Sequence, residues 1–183
     1  MSSDSSIFVS MPSIVSGKIF RLNQDQKFLY QLHYHQHHSE LLLLIDGEGS
    51  FQIDGKQYEA RSGHILVYNR SVWHAEASTS RKFHAAYIGY RGLQLKDLPP
   101  DFFVDRDQPC LIALEEQFVA VKQLFYEIIT GLDSTAPEAN TMCNHLLGLL
   151  MCRLAQVVHY KRNNVEMKKA SLSGRRAHRQ TVY

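Results

Sequence analysis

Histidine is concentrated in one part of this chain. Six of its ten histidines lie between residues 33 and 74. His33 and His35 are two positions apart, so on a β-strand both rings leave the same face. Glu40 opens the next predicted strand, and His74 arrives on another. Three imidazoles and a carboxylate that converge inside a β-domain can bind Fe, Mn, Ni or Zn. The candidate metal site is therefore His33, His35, Glu40 and His74.

The same strand permits an alternative in which no metal site exists. Its apolar side chains alternate with the two histidines and are Tyr30, Leu32 and Tyr34. If that apolar set packs inward, both imidazoles face solvent, and a slip of one residue reverses the outcome. A second spacing, His35-x-His37-x2-Glu40, also suits a metal, unless His37 and His38 belong to a solvated loop.

Composition and charge favour an ordinary globular domain. Hydrophobic residues make up 44% and charged residues 21% of the 183-residue chain, which is typical of a soluble protein. The formal charge is +2, and basic residues concentrate in the last segment, residues 164–183. Its Lys168, Lys169, Arg175, Arg176 and Arg179 could contact phosphates without sequence preference. A solvated, disordered tail is the favoured interpretation.

The cysteines and the N-terminus indicate a cytoplasmic protein. Cys110, Cys143 and Cys152 are odd in number and form no CxxC pair, so no disulfide framework is expected. The N-terminal MSSDSS lacks the basic stretch of a signal peptide. We also expect no apolar segment near the roughly 20 residues that span a bilayer.

Between residues 18 and 91 the pattern predicts a β-domain. Short apolar runs such as Leu41–Ile45 have the length and composition of strands, and Asp54-Gly55 is a strong hairpin signal. About eight such strands with Gly-centred turns indicate a sandwich or barrel. We expect a flexible N-terminal arm over residues 1–17 and the β-domain over residues 18–98.

Two helices are predicted after the β-domain, in a linker and helix region over residues 99–163. Apolar residues recur every three or four positions over residues 111–130, and Gly131 fits a C-terminal stop. Ser134 or Thr135 caps a second helix that runs to the end of the region. Because the connection is short, the helices should pack antiparallel.

The second predicted helix carries two apolar stripes. One consists of Met142, Leu146 and Leu149. The other repeats at alternating four- and three-residue steps, as in a short coiled coil, and consists of Cys143, Leu147, Leu150, Leu154 and Val157. One stripe can pack within the chain, and the other then needs a second partner. We expect the Cys143–Val157 stripe to form a homodimer interface; the alternative is a helix enclosed by its own chain.

The histidine region resembles the two sequence motifs of the cupin superfamily. The spacing HxHx4Ex6G that starts at His33 matches the first motif, and Gx5NxSx2H, which starts at Gly63, matches the spacing of the second. In the second motif, Asn69 stands where that family usually has Pro, and Ser71 where it has Gly. The resemblance implies a mainly β fold plus α, a jelly-roll β-barrel followed by the two helices.

Across residues 40–162, the order of features is similar to the N-terminal domain of AraC-family transcription regulators. LIDGEG at Leu44 resembles that family's first hairpin, and GHILVY at Gly63 followed by VWH at Val72 resembles its "GDILLFPP…H" segment. The IGYR that ends at Arg91 resembles its last barrel strand. The two predicted helices stand where the family has its linker and dimerisation helices.

This resemblance implies a pocket for a small-molecule effector, such as a sugar, and an N-terminal arm that can fold across it. It also implies a homodimer formed through the second helix. By position, the ligand-binding residues are His35, His74, Glu76 and Tyr87. Ordinary barrel packing is an equal alternative for Tyr87, and Trp73 should face away. An aromatic ring beside polar groups is the usual sugar-binding arrangement.

We therefore expect a non-enzymatic, cytoplasmic effector-binding domain without a cofactor or membrane contact. Full-length members of the family bind DNA through two helix-turn-helix units, for which this sequence has no counterpart. DNA binding is thus expected only through a missing C-terminal domain. The main alternative is a metal-dependent cupin enzyme, such as a dioxygenase or isomerase. A third possibility is a mixed-dimer partner that blocks a homologous regulator.

Overall fold

A computed structural model describes residues 6–23 and 26–158 of the chain, so the predicted tail over residues 164–183 lies outside it. In the described part, eleven strands, two α-helices and one short 3-10 helix (Glu115–Gln117) form. The strands are β1 (Phe8–Ser10), β2 (Ser13–Leu22), β3 (Leu29–His33), β4 (Ser39–Asp46), β5 (Glu48–Ile53), β6 (Lys56–Arg61), β7 (His64–Tyr68), β8 (His74–Ser78), β9 (Phe83–Arg91), β10 (Gln94–Leu95) and β11 (Leu111–Ala113). The helices are α1 (Phe118–Leu132) and α2 (Ala139–Val158).

Two antiparallel sheets face each other in a jelly-roll-like sandwich. The large sheet has the order β11-β7-β4-β9-β2 and the small sheet has the order β3-β8-β5-β6. The predicted β-domain with two helices is confirmed. The sheets do not close into one continuous hydrogen-bonded barrel, because no described strand is paired across both of them. The β-domain is therefore an open sandwich and not the closed barrel that was predicted.

Strand β4 lies at the centre of the large sheet and is buried on both faces. Leu42 and Leu44 point into the space between the two sheets. Leu41 and Leu43 point to the other side, into a second core formed with the helices. Because successive side chains of a strand leave opposite faces, an unbroken apolar run is what a strand covered on both sides requires.

The two helices form a pair that covers the outer face of the large sheet. Near the start of α2, the Sγ atom of Cys143 lies 3.5 Å from the carbonyl oxygen of Ile128, close to the end of α1. Further along α2, Arg153 donates to the side chain of Gln117 at the start of α1 at 3.2 Å. These contacts make the helices antiparallel, as predicted.

The prediction of which α2 stripe faces outward is wrong. Four of the five residues assigned to the dimer interface are buried in the core of their own chain: Cys143, Leu147, Leu150 and Leu154. Val157 packs partly against the same core. The exposed stripe is the other one, in which Met142 is 57% and Leu149 47% accessible. Both stripes are apolar, so hydrophobic periodicity alone does not distinguish them.

The predicted boundaries also shift at both ends of the β-domain. The expected flexible arm, residues 1–17, forms strand from Phe8 onward, because β1 pairs with β10 and β2 pairs with β9 along its whole length. Residues 111–113 add a strand to the large sheet, paired with β7, where the helical pattern had predicted the start of the first helix. Helix α1 therefore begins seven residues later, at Phe118.

Helix α2 is long and apolar enough, by length and composition alone, to cross a membrane. The expectation that no segment approaches that length does not hold for it. The core helix of a soluble protein has the same composition, and one face of α2 packs in the core shared by α1 and the large sheet.

Two adjacent leucines of α2 provide a direct test of this packing. Leu150 is fully buried whereas Leu149 is 47% accessible. We expect Leu150→Ala to lower the free energy of unfolding by about 2–5 kcal/mol, the usual cost of truncating a buried leucine. Leu149→Ala should change it by less than about 1 kcal/mol. Guanidinium denaturation followed by circular dichroism measures both, and equal effects would contradict the observed orientation of α2.

Candidate functional site

A cavity of about 150 Å³ lies between the two sheets. From the large sheet, its lining residues are Phe20, Glu40, Leu42 and Tyr87. From the small sheet and the segments on either side of β3, they are Phe28, Tyr30, His33, His35 and Glu76. Polar and aromatic groups from both sheets therefore meet at one place in the interior.

A β-bulge in β3 determines which side chains of this strand enter the cavity. Tyr30 lies opposite Glu76 and His33 lies opposite His74, so two residues of β3 face a single residue of β8 between these pairs. The extra residue reverses the alternation of side chains. Tyr30 and His33 thus both face the cavity, while Leu32 is exposed. The alternative with solvent-facing histidines is excluded.

Three of the four predicted metal ligands converge closely. A nitrogen from each of His33, His35 and His74 lies within 4.8 Å of the other two. The fourth, Glu40, places its Oε2 atom 3.6 Å from Nε2 of His35. The other predicted spacing is not realised, because His37 is exposed and it is His38 that groups with His35 and Glu40.

Backbone hydrogen bonds fix the orientation of two of these imidazoles. Nδ1 of His74 lies 3.0 Å from the carbonyl oxygen of Val72, and Nδ1 of His33 lies 2.7 Å from that of Gln31. A carbonyl only accepts, so each Nδ1 carries the proton and each Nε2 presents a lone pair. The Nε2 atoms of His74 and His35 are buried without a hydrogen-bond partner. The lone pairs of His74 and His33 fit a divalent transition metal, and together with His35 these histidines could hold one.

Two buried carboxyl groups lie beside the histidines. Burial raises the pKa of Glu40 to about 8, and the nearby Glu76 adds to this shift. Burial likewise raises the pKa of Glu76 to about 7. Burial lowers the pKa of His35 to about 4 and that of His74 to about 3, with neighbouring histidines contributing. Burial therefore disfavours the charged forms of these two carboxyl groups and these two imidazoles.

Aromatic rings form a continuous wall on one side of the cavity. The ring of Phe20 stacks with Tyr87 at 5.9 Å and meets Phe28 edge-on at 5.1 Å. Phe28 in turn meets Tyr30 edge-on at 5.1 Å. We call Tyr87, Phe20, Phe28 and Tyr30 the aromatic wall. Only Tyr87 was predicted from the sequence, since the other three depend on the bulge and on the pairing of β2.

The structure brings the predicted ligand-binding residues together. His35, Glu76 and Tyr87 line the cavity, and His74 lies next to it against His33, with ring centres 4.2 Å apart. Their role in ligand binding stays a prediction. Sequence reasoning missed Tyr68, whose ring stacks flat on His74 at 4.1 Å and holds it in place.

Two further aromatic residues lie outside the cavity. Trp73 is half-exposed on the outer face of the small sheet, pointing away from the cavity as expected. There its ring contacts that of Tyr34 at 4.6 Å.

The chain matches a family model described as the AraC-like ligand binding domain, over residues 17–151. No curated protein matches it. The matched region contains the cavity, α1 and most of α2.

Solved structures that resemble the chain are distant from it. Protein plu4264 from Photorhabdus luminescens is 16% identical, with 40% of this chain and 59% of that chain covered and a TM-score of 0.34. YhaK from Escherichia coli is 16% identical, with 57% and 43% covered and a TM-score of 0.41. The cupin domain of Cnp3 from Schizosaccharomyces pombe is 9% identical, with 45% and 61% covered and a TM-score of 0.37. The chain thus spans less than two thirds of the length of each of these three proteins.

Replacing the Glu76 carboxyl should make stability less sensitive to alkaline pH. The pKa of Glu76 rises from its usual 4.5 to about 7 on folding, so its contribution to stability is present below pH 4.5 and is lost as the pH rises through 7. Between pH 5 and pH 8 we expect this loss to be about 2 kcal/mol in the wild type and absent in Glu76→Gln.

The measurement is the free energy of unfolding by urea at several pH values, in the presence of a chelator. Glu59→Gln, which changes an exposed carboxyl on β6 of the same sheet, is the matched control. A Glu76→Gln variant whose stability follows the wild-type pH profile would show that Glu76 is not the group responsible.

Proposed function

Because the chain belongs to the AraC-like ligand-binding domain family, we propose that it is the effector-binding and dimerisation part of a cytoplasmic transcription regulator. The observation that carries this proposal is the family match over residues 17–151, which includes the cavity and the helix pair. The buried polar atoms without partners in and beside that cavity support the presence of a guest, since unsatisfied buried polar groups are costly. The domain itself performs no catalysis.

Strand β2 provides a route from the cavity to α2. At one end of the strand, Phe20 forms part of the aromatic wall. At the other end, the backbone N–H of Ile14 donates to the side chain of Asn144 on α2 at 2.8 Å. Between them, Gly17 lies so close to α1 that an added Cβ would come within 3.0 Å of Ile129. A guest that favours one position of Phe20 therefore biases the contact between β2 and the helices.

The exposed stripe of α2 is the proposed homodimer interface. It presents Met142 and Leu149 to solvent, in place of the predicted Cys143–Val157 stripe, which is used inside the chain. Met11, also exposed, lies beside this helix, where an added Cβ at Gly148 would come 3.0 Å from its terminal methyl. Two copies related by a two-fold axis would bury these apolar side chains against one another. DNA binding then belongs to a separate DNA-binding domain.

Charges placed on this stripe should separate the subunits. We expect the wild-type chain to sediment as a dimer and Met142→Asp/Leu149→Asp to sediment as a folded monomer, since two buried carboxylates oppose each other at the interface. Val119→Asp, at a 70% accessible position of α1, is the matched control and should stay dimeric. Sedimentation velocity measures the mass, and circular dichroism confirms the fold.

The same variants test the regulatory role in cells. The whole chain, fused to a DNA-binding domain that represses its operator only as a dimer, should confer repression. The double aspartate variant should lose it, and the Val119→Asp control should retain it. A wild-type chain that is monomeric and confers no repression would contradict the proposed dimerisation.

A metal-dependent enzyme is the second candidate function, and the convergence of His33, His35 and His74 is the observation that favours it. Elemental analysis of the purified chain separates the two candidates. The enzyme requires about one equivalent of Fe, Mn, Ni or Zn per chain, lost in His33→Ala, which removes a partly exposed ligand, and retained in His145→Ala on α2. The effector-binding proposal predicts a content far below one equivalent in all three proteins.

A further inference from the structure

The inner end of the cavity offers more hydrogen-bond acceptors than donors, the hydroxyl of Tyr68 being a buried donor beside them. Nε2 of His74 carries a lone pair because its Nδ1 donates to Val72, and it is buried without a partner. The Oε1 atom of Glu76, a side chain only 6% accessible, is also buried without a partner. A buried acceptor of this kind lacks the hydrogen bond it would make in water. The guest that best fits this end is therefore one that donates several hydrogen bonds.

The charges around the cavity also point to a positively charged guest. Glu40 and Glu76 both line it, and among the described lining residues there is no lysine or arginine. Without a cation between them, these two buried carboxyl groups repel each other and are poorly solvated when both are ionised. A cation between them supplies the missing countercharge and forms charge-assisted hydrogen bonds.

The aromatic wall adds a requirement that a bare metal ion does not meet. Four rings in contact present an extended apolar and π-electron surface to the cavity. Ammonium groups and the carbons attached to them bind favourably to such faces. The chain itself shows this geometry, since Nζ of Lys18 lies 5.3 Å from the centre of the Phe20 ring.

We propose that the guest is a small organic ammonium ion, a primary amine whose N–H groups contact Glu76 and Glu40, on the side of the cavity next to His74, and whose carbon skeleton lies on the aromatic wall. This inference rests on the proposed ligand-binding function and replaces the sugar of the sequence-based expectation. A primary ammonium group donates three hydrogen bonds and accepts none, which suits an inner end that has more acceptors than donors. The cavity volume of about 150 Å³ restricts the guest to a compact molecule.

The test compares guests of equal shape and different charge. The chelator-treated 183-residue chain is titrated at pH 7.5 with isobutylamine, isobutanol, a pentose, and Zn²⁺ or Mn²⁺ alone, by calorimetry and by the shift in melting temperature. We expect saturable binding and a raised melting temperature with isobutylamine, and neither effect with isobutanol or the pentose. Binding of the amine should be at least about tenfold tighter than that of its neutral isostere, the value of one charge-assisted hydrogen bond.

Variants locate the binding site. Glu76→Gln keeps the shape of the side chain and should weaken amine binding about tenfold. Phe20→Leu should weaken it by a smaller factor, through the loss of one ring face. Glu59→Gln, on the outer face of the small sheet, is the matched control and should bind like the wild type.

The remaining outcomes would contradict the proposal that the guest is an amine. Binding of the pentose but not the amine would show a neutral ligand, and the effector-binding function would stand. Binding of metal alone would show that the cation is inorganic. If neither the amine, the pentose nor metal binds, this inference is wrong, whereas the dimerisation and repression experiments judge the regulatory function independently.

Discussion

The structure depends on burying both faces of strand β4. Leu42 and Leu44 help form the core between the sheets, and Leu42 also lines the cavity. Leu41 and Leu43, on the opposite face, anchor the helix pair. At roughly 25 cal/mol for each Å² of apolar surface buried, neither face is stable in water without its cover. The cavity and the helix pair therefore lie on opposite faces of the same sheet, separated only by its thickness.

The polar end of the cavity works against this stability. Histidines and carboxyl groups that are buried without partners cost free energy in the empty chain. The pKa of Glu40 is raised and that of His35 is lowered, because burial opposes ionisation of the carboxyl group as the pH rises and of the imidazole as the pH falls. A folded core would be more stable with apolar side chains at these positions. Their presence is best understood if a guest forms hydrogen bonds with them, so that binding offsets the free-energy cost of burying them on folding.

Sequence patterns predicted the elements better than their orientation. The β-domain, the helix pair and the convergence of His33 with His74 follow from spacing, because alternation and helical periodicity survive small errors in boundaries. Two features of the structure do not follow from spacing. The bulge in β3 is a single extra residue that reverses a face, so Tyr30 was expected opposite the histidines. The two stripes of α2 are equally apolar, and only the shape of the core, into which Leu150 fits, decides between them.

Occupancy of the cavity and control of the helices are different requirements. A ligand shifts an equilibrium only as far as its contacts differ between the two states. A guest held only by His33, His35 and His74 contacts β3, β8 and the loop that follows β3. Both strands belong to the small sheet, whereas β2 belongs to the large sheet. A guest that also touches Phe20 makes a contact that depends on where β2 lies, and β2 is the strand hydrogen-bonded to α2 through Ile14. A ligand must therefore contact the aromatic wall to act as an effector. A ligand that contacts only the histidine cluster occupies the cavity without biasing the helices.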